Sequence, residues 1–205
     1  KSQGELDNTL ILFASDNGCS SEQTPGWMLE SDESGEIGSL TRWSSLTHSW
    51  ANVSNTPFRY YKNWSHKGGA CTPLIASWPA GISNPDHTSD TVGHFIDFMP
   101  TLLELAGASY PATQNGEIVH PLTGQSLVPL LADQNYQRTS PIFWQWSDGK
   151  AVRKGDYRLV SGEDGPWELY DMRTDKTETN DLSKKQPEIT EELSDLYAAW
   201  EERMT

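Results

Sequence analysis

Thr9-Leu10-Ile11-Leu12-Phe13-Ala14 is a short, unbroken apolar run of β-favouring residues, bounded by Asn8 before it and by Asp16-Asn17-Gly18 after it. A run of this length and kind reads as a strand buried on both faces, the pattern of a strand inside an α/β sheet. Such a strand needs neighbours on either side. Only eight residues precede it, so its partners are expected in sequence upstream of residue 1.

Residues 20 to 56 are rich in Ser, Thr, Gly, Asp, Glu and Trp without steady periodicity and read as a long loop, of the kind that usually carries function. Ala70 to Trp78 gives a second apolar strand, closed by Pro79 and Gly81. Asp97, then Pro100 in the first turn, then Leu102, Leu103, Leu105 and Ala106 before Gly107, predict a helix with proline near its start and glycine past its end. Beyond a Pro-, Gly- and Thr-containing connection, four short strands follow at Pro141–Trp146, Ala151–Arg153, Tyr157–Val160 and Trp167–Tyr170. Tight turns such as Lys154-Gly155-Asp156 separate them, which predicts an antiparallel meander. In the last segment Pro187 leads apolar Ile189, Leu193, Leu196, Tyr197, Trp200 and Met204 at helical spacing, so a helix is expected to lay one face on that sheet. The division falls into residues 1–135, part of an α/β domain, and residues 136–205, a small α+β subdomain.

With 205 residues the chain is long enough to bury a real core, and with 35% hydrophobic residues no stretch reaches the ~18 apolar residues a membrane span needs. The formal net charge of -14 argues against nucleic acid or an anionic membrane as partner, since both require a cationic face. An anionic substrate would need local cations to overcome the global field. Cys19 and Cys71 lack the paired spacing of a zinc site and read as free thiols, with one bridge between them as the alternative. The first residues contain no charged stretch followed by an apolar one, so no signal peptide is expected within these residues.

Asp16 and Asn17 stand directly after the first strand, at the carboxyl end where open α/β sheets bind ligands. Their side-chain oxygens suit Ca²⁺, with Mg²⁺ the second choice. Asp-Asn-Gly is equally a common turn, so the tripeptide alone leaves both readings open. Lys62 lies in Tyr60-Tyr61-Lys62-Asn63-Trp64-Ser65-His66-Lys67-Gly68-Gly69, where cations and aromatics lead into paired glycines that permit close backbone approach. A lysine there is a plausible point charge for an oxyanion, or a surface lysine lying over Trp64 or Tyr61. His66 is either a pocket residue or a packed, hydrogen-bonded one. Trp27, Trp43, Trp50 and Trp64 could build an aromatic platform, or serve as ordinary core residues.

LILFASDNG from Leu10 to Gly18, then NTPFRYYKNWSHKGG and TPLIASWPAGI, resemble the sulfatase family of the alkaline-phosphatase-like superfamily. The later stretches DFMPTLLELAGA, GQSLVPLL, AVRKGDYRLV and WELYDMRTDKTETNDL resemble that family's C-terminal region in the same order. The resemblance implies an α/β fold of which this chain is the C-terminal portion, with a small antiparallel sheet and a C-terminal helix. It implies hydrolysis of sulfate esters, with Asp16 and Asn17 as calcium ligands and Lys62 as catalytic contact to the sulfate group; His66, from its place beside Lys62 in the sequence, is the further substrate-binding candidate. The partners implied are a sulfated small molecule or sulfated carbohydrate, and the rest of the catalytic domain upstream of residue 1.

The family's nucleophile is a formylglycine made from cysteine in a Cys-x-Pro-x-Arg context, expected in that upstream part with two further aspartates for the metal. Cys71-Thr72-Pro73 imitates half of the motif, but Leu74 and Ile75 follow, and Cys71 reads as an inert thiol buried in a strand. By itself the chain is therefore expected to be inactive. Lys67 stands where many relatives carry Glu, and Cys71 where arginine or a small polar residue is common. Relatives are often exported, which implies a periplasmic or secreted protein, and Asn52-Val53-Ser54 and Asn63-Trp64-Ser65 match the glycosylation pattern of a eukaryotic secretory pathway. The rival readings are a phosphodiesterase or phosphonate monoester hydrolase of the same superfamily, and a noncatalytic module binding sulfated glycan.

Overall fold

The computed structural model describes residues 4–22, 35–42 and 45–204. Of the Trp platform, Trp27 and Trp43 lie outside the described residues, whereas Trp50 is exposed and Trp64 stacks on Tyr60 at 4.1 Å between ring centroids. The chain forms two compact units, residues 1–14 with 74–142 and residues 15–73 with 143–205, which cut across the boundary expected near residue 135. The physical reason lies in the second unit, where hydrogen bonds tie residues 59–67 to the C-terminal sheet.

In the first unit β1 (Ile11–Ala14) pairs antiparallel with β2 (Leu74–Ser77), Ile11 opposite Ser77 and Ala14 opposite Leu74. This corrects the expectation of a strand buried on both faces: Ile11 is 45% and Phe13 69% exposed. Among the described residues β2 is the strand's one hydrogen-bonded neighbour, and Leu12 and Ala14 on its other face are half-buried. The second strand is also shorter than expected. Residues 67–70 form a single helical turn instead, α2 (Lys67–Ala70), and Cys71 is exposed beyond it rather than buried in a strand. Both cysteines are free.

The predicted helix is α3 (Phe98–Ala106), closed by Gly107 in the left-handed conformation at φ 61°. Asp97 does more than start it. Fully buried, its carboxylate accepts from the backbone N–H groups of His94 (2.7 Å) and Gln125 (2.8 Å) and pairs with Arg138, tying the connection onto the helix. That connection carries the hairpin β3 (Thr113–Gln114) and β4 (Glu117–Ile118) and the short α4 (Val128–Leu131).

In the second unit α1 (Thr47–Ser54) occupies part of what reads as loop. The meander is present as β5 (Ile142–Trp146), β6 (Gly149–Lys154), β7 (Tyr157–Ser161) and β8 (Glu168–Asp171), in that order across the sheet. Because successive side chains leave opposite faces, the register puts Val152, Leu159 and Leu169 on one side and Ala151, Val160 and Tyr170 on the other. The first side packs on α5 (Pro187–Met204), whose Leu193 and Tyr197 are buried and whose Ile189, Leu196 and Trp200 border the same core. Met204, at the end of that apolar stripe, is 59% exposed. Among the described residues no helix is long and apolar enough to cross a membrane.

Candidate functional site

The site is assembled from residues 15–22 and 55–70 by backbone hydrogen bonds. Gly18 N–H donates to the Gly69 carbonyl (2.8 Å) and Lys62 N–H to the Cys19 carbonyl (3.0 Å), so the Asp16-Asn17 turn and the Lys62 segment are joined at both ends. Two asparagines fix the geometry further. Asn52 on α1 accepts from Tyr60 N–H at 3.0 Å, and Asn55 accepts from Cys19 N–H (2.9 Å) while donating to the Tyr60 carbonyl (3.0 Å). Tyr60 and Asn63, on either side of Lys62, have φ of 64° and 79°, a conformation uncommon for residues with a Cβ. The glycines explain how two loops come so close. A Cβ on Gly68 would run into the carbonyls of Arg59 and Tyr60, one on Gly69 into that of Trp64, and one on Gly18 into that of Gly68. The close approach read from Gly68-Gly69 is thus made to the chain's own backbone.

On the outer side Lys62 Nζ pairs with Glu22 Oε2 at 2.8 Å, and this ammonium is what holds the Glu22 carboxyl below the usual glutamate range. Asp16 is exposed and Asn17 half-buried, and no hydrogen bond or ion pair to another described residue engages either side chain. Their oxygens match a hard cation in kind. In number they do not, since two donors fall short of the six to eight Ca²⁺ takes, and among the described residues no cluster of three or more His, Cys, Asp or Glu side chains supplies the others.

On the inner side lies a buried polar network that rests on the second face of the small sheet. His66, only 2% exposed, shares a hydrogen bond between Nε2 and Glu168 Oε2 (3.1 Å), and its ring packs edge-on against Tyr60 and Trp64. Glu168 also accepts from the Tyr170 hydroxyl (2.5 Å) and from Arg59 (3.3 Å), and Arg59 donates to Tyr170 (2.8 Å) and to the Glu178 carbonyl (2.6 Å). Burial alone would raise the Glu168 carboxyl, but the hydrogen bonds from Tyr170 and His66 outweigh it and hold the group below its usual range. The structure therefore joins the turn that carries Asp16 and Asn17 to the segment that carries Lys62, and turns His66 inward.

Burial also depresses the His66 imidazole, against the opposing pull of Glu168 and Glu178. The unfolded chain then binds a proton that the folded chain refuses at pH values between the folded pKa and about 6.5, so acid favours unfolding there. Stability of the complete protein is expected to fall as the pH drops below about 6.5 and to stop responding to His66 below its folded pKa. His66→Gln should flatten this limb. Urea midpoints at several pH values measure it, and a wild-type midpoint unchanged between pH 7 and 5 would contradict it.

Arg59, Glu168, Tyr170 and Glu178 carry no local motif in the sequence. The one signal is the alternation in Glu168-Leu169-Tyr170, which puts two polar groups on the sheet face opposite α5.

Two family models match this chain: "Sulfatase" over residues 1–108 and "N-sulphoglucosamine sulphohydrolase, C-terminal" over residues 58–203. Among known proteins, an uncharacterised sulfatase of Schizosaccharomyces pombe is 31% identical over 98% of this chain and 39% of its own length. A sulfatase of Formosa agariphila is 27% identical over 98% of this chain and 34% of its own. Of solved structures, Ps i-CgsB in complex with k-i-k-neocarrahexaose superposes with a TM-score of 0.67 at 22% identity, covering 97% of this chain and 38% of that one. The fold is that of the alkaline-phosphatase-like hydrolases. This chain belongs to the sulfatase family, and it spans about a third to two fifths of the length of the two relatives just named.

Proposed function

We propose that this chain is the C-terminal part of a sulfatase that hydrolyses sulfate esters, with Lys62 as the contact to the sulfate oxygens. The observation that supports the reading is the Lys62 ammonium with a carboxylate at 2.8 Å, an arrangement in which this side chain already holds an oxyanion. The backbone that carries Lys62 is held by its own N–H bond to Cys19 and by the clamps on Tyr60, so the base of the side chain is fixed in advance of the substrate. Preorganised cations are the main means of stabilising charge that develops on oxygen.

Asp16 and Asn17 would supply two of the oxygens for a Ca²⁺ ion, the remainder coming from the upstream part of the domain. When bound, such an ion withdraws charge from the sulfate oxygens. His66, closed off from solvent, acts through the network behind Lys62. The nucleophile that the family makes from a Cys-x-Pro-x-Arg cysteine has no counterpart in these residues, so the chain alone is inactive. A sulfated carbohydrate is the favoured substrate. An N-acetylglucosamine-6-O-sulfatase of Bacteroides thetaiotaomicron is 25% identical over 97% of this chain, and a solved structure containing D-glucosamine-2-N,6-O-disulfate as its substrate superposes with a TM-score of 0.61 at 21% identity.

A second reading has one observation in its favour: the phosphonate monoester hydrolase of Agrobacterium radiobacter superposes with a TM-score of 0.54 at 15% identity. Rates of the complete gene product on an aryl sulfate, glucosamine 6-sulfate and an aryl phosphonate monoester separate the two. Sulfate ester turnover is expected with the complete product and none with residues 1–205 alone. Preference for the phosphonate, or turnover by the isolated chain, would overturn the assignment.

A further inference from the structure

The strongest feature left unexplained is Glu178. It is fully buried, a rare place for a carboxylate, and it sits at φ 59° in the Thr177-Glu178-Thr179 turn. The turn is built independently of it. Asp175 closes the turn by accepting from the backbone N–H groups of Thr179 (2.9 Å) and Asn180 (2.8 Å); its own N–H donates to the Asp171 carbonyl (2.8 Å) and Asp181 accepts from Leu169 N–H (3.0 Å), which ties both ends to β8.

From that fixed base Glu178 reaches the Lys62 segment on both flanks. Its carbonyl accepts from Arg59, three residues before Lys62, at 2.6 Å. Its Oε2 accepts from the backbone N–H of Lys67, five residues after Lys62, at 2.8 Å. Its Oε1 pairs with the Arg158 guanidinium, whose other nitrogen donates to the carbonyl of Ser65. Every one of these bonds ends, directly or through Arg158, on the backbone or side chain of residues 59–67.

We infer that Glu178 is a positioning residue for catalysis: together with Arg158 it sets where the Lys62 ammonium stands relative to the Asp16-Asn17 turn. This rests on the proposal that Lys62 binds the sulfate group. A buried ion pair adds little net stability over well-packed apolar residues, so its directional contacts to the Lys67 N–H and the Ser65 carbonyl are what it supplies. Errors of about 1 Å in the placement of a catalytic group cost roughly 10²-fold in rate.

The test is a double-mutant cycle in the complete enzyme, with Glu178→Gln, Lys62→Ala and the combination, read by kcat/KM on a sulfate ester and by inhibition with inorganic sulfate. Glu178→Gln is expected to lower kcat/KM at least about tenfold and to weaken sulfate inhibition. Added to Lys62→Ala it should cause little further loss, because a misplaced lysine and an absent one fail alike. Arg158→Lys, which keeps the charge but cannot serve Glu178 and Ser65 together, should behave the same way and provides the test if Glu178→Gln does not fold. Full multiplication of the two losses, or wild-type kinetics in a folded variant, would reduce Glu178 to a structural role while Lys62 keeps its own. Wild-type kinetics in Lys62→Ala would instead remove the sulfate-binding proposal and this inference with it.

Discussion

Lys62→Ala in the complete enzyme is expected to lower turnover of sulfate esters by about 10²–10³ while changing folding stability by no more than ~0.5 kcal/mol. The two effects separate because the side chain and the backbone of Lys62 have different duties. The ammonium is partly exposed, its ion partner is the exposed Glu22, and truncation opens no cavity in the core. The N–H that binds the Cys19 carbonyl survives in alanine. What disappears, on the proposed reading, is a donor to a developing anion. Lys67→Ala is the control, since its ammonium lies 4.2 Å over the Phe58 ring and its N–H bond to Glu178 is a backbone one. Steady-state kinetics and melting temperatures measured together decide the matter. A large fall in melting temperature for Lys62→Ala, or loss of activity in Lys67→Ala alone, would place the substrate lysine elsewhere.

Gly68→Ala should be among the most damaging single changes in the chain, costing at least about 3 kcal/mol or abolishing folding. The obstacle is backbone, not a movable side chain. The new methyl would meet the carbonyls of Arg59 and Tyr60, which are themselves held by the Gly68 N–H (2.9 Å) and by Asn55 (3.0 Å). Relief of the clash would break both bonds and separate the Lys62 segment from its base. Gly155 provides the contrast: a Cβ there meets nothing within 4 Å, and its φ of 56° sets a cost of only about 1–2 kcal/mol for Gly155→Ala. Urea unfolding of both variants in the complete protein checks the ranking, and equal midpoints would show that the loop yields.

The contrast between these glycines also marks what sequence can convey. Gly68-Gly69, Asp16-Asn17, α3, the four-strand meander and α5 all follow from local rules: turn chemistry, caps and side-chain period. The sheet face opposite α5 does not. Glu168 and Tyr170 look like the solvated side of an edge strand, yet they are covered by Arg59 and His66 from more than 100 residues earlier in the chain. Nothing periodic announces a contact at that separation. For β1 the apolar run predicts burial, whereas among the described residues it pairs with β2 alone and Phe13 is 69% exposed. In α1 the polar, weakly periodic sequence conceals a helix from which Asn52 accepts the Tyr60 N–H.

If Lys62 is the sulfate contact proposed above, its pairing with Glu22 makes anion capture at this lysine an exchange. An arriving oxyanion displaces a tethered carboxylate instead of water, so the charge next to Lys62 is nearly the same before and after. Attraction between the newcomer and the ammonium is then largely offset by the attraction given up, and mere negative charge confers little advantage. A visitor prevails through shape, by offering more oxygens in the right directions than a carboxylate has. In a chain of net charge -14 such an arrangement selects by the geometry of the anion where its overall field can only repel.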